Sequence, residues 1–328
     1  MTDPYAEYIR ILGRGPTKSR HLTQEEAHFA FSGLLSGEMA DLQVGALLLL
    51  LRYRSESPEE LAGIVSAIRD YINHSPVKTS HEFIDWPSYA SGKSRRLPWF
   101  LLSAKLLAEN GLKIFMHGFN SHLENGLLTE DCLWAVGEAP VSSLAEAQKK
   151  LETDSFSYLP LRNFCPKLQE TLEIRSVLGV RSIVNTAVKL INPLGAKLIF
   201  LGIFHPAYIA LNIAAGNLLN QPGLGVIKGG GGEAERNIQK SIKLYQVKEK
   251  QEQVTNWPPD VRLKGKQDYP VTAEYLAAVW QGKLRDEYAA SMIIGTAAQA
   301  LYMTGRAITV GAAEEMGRSY WQNHLDNI

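Results

Sequence analysis

The stretch Phe83 to Asn120, FIDWPSYASGKSRRLPWFLLSAKLLAENGLKIFMHGFN, decides how the rest of the chain is read. Phe83 to Trp86 reads as a short apolar strand, about Trp99 to Asn110 as an apolar helix, and Leu112 to Met116 as a second strand ending at His117-Gly118. Strand, helix and return strand make a βαβ unit, and ligands of such folds bind at the carboxyl ends of the strands. The loop before the helix therefore lies at the functional end. A phosphate cradle at that junction needs glycines, and small hydroxyl or amide residues opening the helix, so that backbone N–H groups can approach the anion. This loop holds only Gly92, and its helix opens Leu97-Pro98-Trp99-Phe100, where the proline has no N–H to offer and two rings are bulky. It carries Lys93, Arg95 and Arg96 instead, whose long cationic arms suit an extended polyanion better than one small phosphate.

Outward from this unit the pattern divides the chain. Residues 4 to 75 read as four helices. Thr23 to Glu26 is a capping box, and Ser57-Pro58-Glu59-Glu60 combines a serine cap, a proline at the first helical position and a glutamate three residues on. The third helix, Asp41 to Tyr53, is almost wholly apolar, which in so small a unit calls for cover beyond its neighbours. From Phe83 strands and helices alternate: FSYLPL at 156–161, 197–202, 225–228 and 240–247 read as strands, the last with Lys240 exposed. The polar run from Lys248 to Tyr269 reads as a surface excursion, and the chain ends in helices. The expected fold is α/β, a small N-terminal helical domain plus a larger α/β domain whose mostly parallel central sheet is flanked by helices.

The chain has 328 residues, 45% of them hydrophobic, enough for a substantial core and two domains. With 34 basic and 34 acidic residues the net charge is zero, so polyanion binding must come from segregated charge. The two cysteines, Cys132 and Cys165, are too few for a disulfide framework or a structural zinc site, and a core thiol in a reducing cytoplasm is expected of both. MTDPYAEYIR does not read as a signal peptide, and no apolar run reaches the ~20 residues of a membrane span.

The region from Asp85 to Asn120 and FCPKLQETLEIRSVLGVRSIVNTAVKLINPLGAK, 164–197, resemble the anthranilate phosphoribosyltransferase family, with a fold of the nucleoside phosphorylase type. The resemblance runs from residue 5 to about 315. It implies domains of 1–75, with 164–190 returning to it, and of 80–163 with 191–328. The family's Gly-Thr-Gly-Gly-Asp loop, which holds the diphosphate of phosphoribosyl diphosphate, falls on Ser88-Tyr89-Ala90-Ser91-Gly92, and its phosphate-binding Asn-x-Ser-Thr helix start falls on Pro98-Trp99-Phe100-Leu101. Of its Lys-His-Gly-Asn-Arg motif only His117-Gly118 remains. Its acceptor-side arginine is kept as Arg175, while a histidine ten residues earlier falls on Cys165. Its adjacent Asp-Glu pair for magnesium corresponds to GGGEAER, where Glu233 and Glu235 are separated. DWPSYASGKSR and KGGGGEAERN are similar to the YbiB-like branch, which implies a nucleic-acid-binding homodimer, paired through the helical domain, without transferase activity.

The residues themselves leave several readings open. No GK[ST] follows Gly229 to Gly232, so the run is a poor P-loop, though Lys228 and Arg236 flank it and residues 226–250 hold six basic and three acidic side chains. A polyanion-contact loop, a plain connection and a metal-phosphate site using Glu233 and Glu235 all fit. The eight histidines show no HxxxH or HExxH spacing, and there is no GxSxG elbow. Lys93, Arg95, Arg96, Lys228, Arg236 and Lys240 are the candidate nucleic-acid contacts, with Tyr89, Trp99 and Phe119 the nearby rings and core packing the expected place of Trp99. His117 and Arg175 are the retained acceptor-site positions. The expectation is a non-catalytic, largely sequence-nonspecific binder of single-stranded DNA or RNA, needing no cofactor and no metal. The alternative is phosphoribosyl transfer to an unknown aromatic base with magnesium on Glu233 or Glu235. A third is capture of an acidic protein partner.

Overall fold

The computed structural model describes residues 3–15, 17–73, 82–89, 97–119, 127–261, 263 and 268–328. Its helices are α1 Ala6–Gly13, α2 Gln24–Ser36, α3 Asp41–Arg54, α4 Pro58–Tyr71, α5 Trp99–Glu109, α6 Leu144–Asp154, α7 Leu161–Phe164, α8 Pro166–Glu173, α9 Arg175–Leu178, α10 Val184–Ala187, α11 Ala207–Leu218, α12 Ala273–Trp280, α13 Glu287–Met303 and α14 Val310–Asp326. The strands are β1 Phe83–Ser88, β2 Lys113–Gly118, β3 Phe156–Pro160, β4 Leu198–Ile203, β5 Gly223–Lys228, β6 Ile242–Lys248 and β7 Gln251–Trp257. The chain forms two compact units: residues 1–76, 161–195 and 210–221 make one, and 77–160, 196–209 and 222–328 the other. The stretch 210–221, which the sequence reading leaves in the larger domain, goes with the helical unit.

In the helical unit both capping boxes form. Thr23 Oγ1 accepts from Glu26 N and Ser57 Oγ from Glu60 N, each at 3.2 Å. Glu60 is fully buried, yet its carboxylate accepts from the backbone of Leu22 and Ser57 and meets His21 Nδ1 at 3.0 Å. A buried carboxylate is tolerable when several donors face it. Arg69 donates to the carbonyls of Leu190 and Ile191, both at 2.9 Å, which pins the returning segment to α4. That segment is broken into the short helices α7 to α10. α3 exposes Leu42, Leu49 and Tyr53.

In the other unit the sheet runs β3-β2-β1-β4-β5-β6-β7. β1 to β5 are parallel, while β6 and β7 are antiparallel to their neighbours. The chain leaves β1 toward β2 on one side and comes back on the other with β4, so the crevice of this topology opens at the carboxyl ends of β1 and β4. α5 is buried on nearly every face and packs against the long α13, which explains its lack of amphipathic pattern. The Glu130–Val136 segment is a 3-10 helix.

The excursion read over 248–269 needs correcting: Gln251 to Trp257 is the edge strand β7. An outermost strand lies open to solvent, so QEQVTNW needs no apolar alternation. The turn before it uses Glu249 and Lys250, both left-handed at φ 49° and 66°, where glycine or asparagine would have announced a hairpin. No helix among the described residues is long and apolar enough to cross a membrane.

Candidate functional site

At the crevice the last residue of β1, Ser88, is buried, and its Oγ lies 2.8 Å from Thr129 Oγ1 and donates at 3.2 Å to Glu233 Oε1. Two residues on, the carboxylate of Glu235 accepts from Phe100 N at 3.0 Å. Phe100 is the second residue of α5, whose first turn has no side-chain cap of its own because Pro98 sits at the cap position. A helix N-terminus offers orphan N–H groups and the positive end of the dipole. In this chain a buried internal carboxylate, from a residue only 1% exposed, takes that place.

The glycine run is not an open cradle. Gly229 N donates to Ile203 O and Glu235 N to Glu233 O, folding the run onto the end of β4. A Cβ on Gly202 would fall 1.9 Å from the carbonyl carbon of Glu233, and one on Gly229 would fall 1.6 Å from its oxygen. Those glycines are required by close backbone packing. Gly231, at φ 71°, supplies the left-handed turn.

His117 ends β2 fully buried. Its Nε2 hydrogen-bonds with Asp85 Oδ2 at 3.3 Å, and its Nδ1 lies 2.7 Å from Tyr89 Oη. Facing a carboxylate, Nε2 carries the proton, so Nδ1 accepts from the tyrosine hydroxyl. Gly118 follows because a Cβ there would meet Tyr158 Oη at 2.5 Å and Ser88 O at 2.6 Å. The result is a buried Tyr89-His117-Asp85 chain, with the Phe115 ring stacked on His117.

Several sequence expectations change. Arg236 is not a surface contact: it is 3% exposed, its guanidinium donates to Glu314 Oε1 at 2.7 Å and Pro258 O at 2.6 Å, and it lies over the Trp257 ring. Tyr89 is buried, so it is no stacking platform for a base; Trp99 is buried in the core, as expected, and packs on Tyr269 and Tyr275. Lys228, at the end of β5, and Lys240 are exposed, and Phe119 is half-buried. Lys93, Arg95 and Arg96 lie outside the described residues. Arg175, half-buried in the helical unit, opens α9. Sequence reasoning missed a neighbour of Arg175: the Arg181 guanidinium is held below its ordinary pKa by lost hydration and by the charges of Arg175 and Arg52. The arginines come from separate turns, and nothing in their spacing announces that they act on one another.

Magnesium fits poorly. Mg²⁺ keeps most of its waters and wants accessible oxygens, whereas Glu233 and Glu235 are buried and engaged with Ser88 and the N-terminus of α5. Among the described residues no three His, Cys, Asp or Glu side chains cluster as a metal site.

Residues 6–72 match the glycosyl transferase family helical bundle domain. Over 244 residues the chain is 30% identical to anthranilate phosphoribosyltransferase of Aquifex aeolicus, covering 74% of this chain and 71% of that protein. The chain belongs to the anthranilate phosphoribosyltransferase family. Among its relatives is YbiB of Escherichia coli, described as uncharacterized, at 31% identity over 208 residues, 62% of this chain and 64% of YbiB. The chain thus matches just under two thirds of YbiB. In the same family, the anthranilate phosphoribosyltransferase TrpD of Thermus thermophilus superposes with a TM-score of 0.77 at 21% identity, covering 99% of this chain and 98% of that one. The Saccharomyces cerevisiae enzyme in complex with PRPP and Mg superposes at 0.73 with 15% identity. Both likenesses show the fold.

Proposed function

We propose that this family member does not transfer a ribosyl group but binds a polyanion, single-stranded nucleic acid, as a homodimer in the cytoplasm. The observation that carries the reading is the Glu235 carboxylate on Phe100 N, with Trp99 and Phe100 buried behind it. A donor diphosphate would meet a negative charge and two packed rings where it needs vacant N–H groups. Cationic arms support the positive half of the reading: Lys93, Arg95 and Arg96 in the sequence of the loop, exposed Lys228 and Lys240, and the Arg52, Arg175 and Arg181 group of the helical unit. Contacts of this kind read phosphate rather than bases. The exposed Leu42, Leu49 and Tyr53 of α3 support pairing of two copies through the helical unit.

A second reading, phosphoribosyl transfer to an aromatic acceptor, is favoured by the relatives named as anthranilate phosphoribosyltransferases. Calorimetry with phosphoribosyl diphosphate and magnesium separates the two. The polyanion reading expects no heat of binding and no pyrophosphate release with any aromatic amine. Micromolar binding, or turnover, establishes the transferase and overturns it.

A further inference from the structure

A cavity of about 570 Å³ opens at the amino ends of β1, β2, β4 and β5, the end of the sheet opposite the candidate site. Its walls are apolar, from Phe83, Leu112, Leu224 and Met303. Glycines on β5 make the room: Gly223 lines the cavity, and a Cβ on Gly225 would fall 2.0 Å from Met303 Sδ. Gln246 of β6 lines it too, and its Oε1 is buried and accepts no hydrogen bond among the described residues. A buried acceptor without a donor destabilises the free protein, and a ligand supplying the donor recovers that loss.

The rim is cationic, with Lys113, Lys197, Lys248 and Arg306 against Glu82 and Glu249. Two of the four cations are already engaged. Lys197 pairs with Glu82 at 3.0 Å, and Arg306 donates to Asn110 O and Gly111 O. Neither Lys113 nor Lys248 has an acidic partner among the described residues.

We propose that this cavity binds a small organic anion with an apolar body and one hydroxyl or N–H donor. The body lies on the apolar walls, the donor reaches Gln246 Oε1, and the anionic group meets Lys248, which faces the same side of β6 two residues on. The volume lies within the ~300–1,000 Å³ of ordinary ligand pockets. The site is independent of the polyanion reading.

Calorimetry on the full chain with 6-hydroxy-2-naphthoate as probe tests this. Binding is expected, about tenfold weaker for 2-naphthoate, which lacks the donor, and absent for naphthalen-2-ylmethylamine, which reverses the charge. Lys248→Glu should weaken the probe at least tenfold. Gln246→Leu should abolish the preference for the hydroxyl while leaving 2-naphthoate unchanged; both variants are checked for a wild-type melting curve. No binding of the probe, equal binding of all three compounds, or binding indifferent to the charge reversal overturns the proposal. Should either variant fail to fold, the three-compound comparison on the native protein decides it.

Discussion

Glu235 matters more than any other single side chain to this account, because its carboxylate does for α5 what a bound phosphate does for an open helix start. Replacing it with alanine leaves Phe100 N buried and without this acceptor, and urea denaturation should show a loss of about 1–3 kcal/mol. The cysteines are the opposite case, inert by burial. Desolvation pushes the Cys132 thiol up to about 12, aided by the charges of Asp131 and Glu274, and burial pushes Cys165 up to about 11 against a hydrogen bond from Leu168. Native protein should therefore give no reaction with Ellman's reagent at pH 8, and both thiols should react once urea unfolds it. At this scale the sequence was informative about what is missing and less so about what fills the gap. The lost glycine cradle is visible in Ser88 to Gly92, and the core role of two lone cysteines is visible from composition. That Arg236 turns inward onto Glu314 and Trp257 was not, because a partner 78 residues away leaves no local trace.

Elements here are held by side chains reaching across from others. His324 of α14 sets its Nδ1 2.9 Å from Glu109 of α5 and its Nε2 2.8 Å from Trp280 O, with its ring against Trp280 and Trp321. Burial lowers its pKa, but the bonds to Glu109 and Trp280 outweigh that, and the net shift is upward from 6.5. A raised folded pKa means that this stabilisation is complete below about pH 6.5 and fades as pH rises through the folded value. The stability lost between pH 6 and pH 9 should be smaller in His324→Gln than in wild type; equal losses would remove His324 from the link. Gly202→Ala makes a sharper demand at the end of β4, since the new methyl would overlap the Glu233 backbone. A loss of about 1–3 kcal/mol in urea denaturation is expected. Most elements were legible because periodicity and caps are local signals, as at Thr23 and Ser57. β7 was not, since an exposed edge strand and a hairpin turn without glycine carry neither signal.

The whole molecule keeps the helical bundle and the fold of its family, while Glu233 and Glu235 bond to Ser88 and the start of α5 at the carboxyl end of the sheet. The fold was legible through the Phe83 to Asn120 unit and through motifs that keep their spacing after losing their residues. The ligand class was less so, because a polyanion asks only for cations at phosphate spacing and many arrangements satisfy it. The most direct measurement is the fluorescence anisotropy of a labelled single-stranded oligonucleotide as salt is raised. The account predicts saturable binding, indifferent to base sequence, with log affinity falling linearly in log salt by about 0.7 per phosphate neutralised. It predicts a shallower slope when Lys93, Arg95 and Arg96 are replaced by alanine. Failure to bind at low salt, or affinity that does not change with salt, would contradict it.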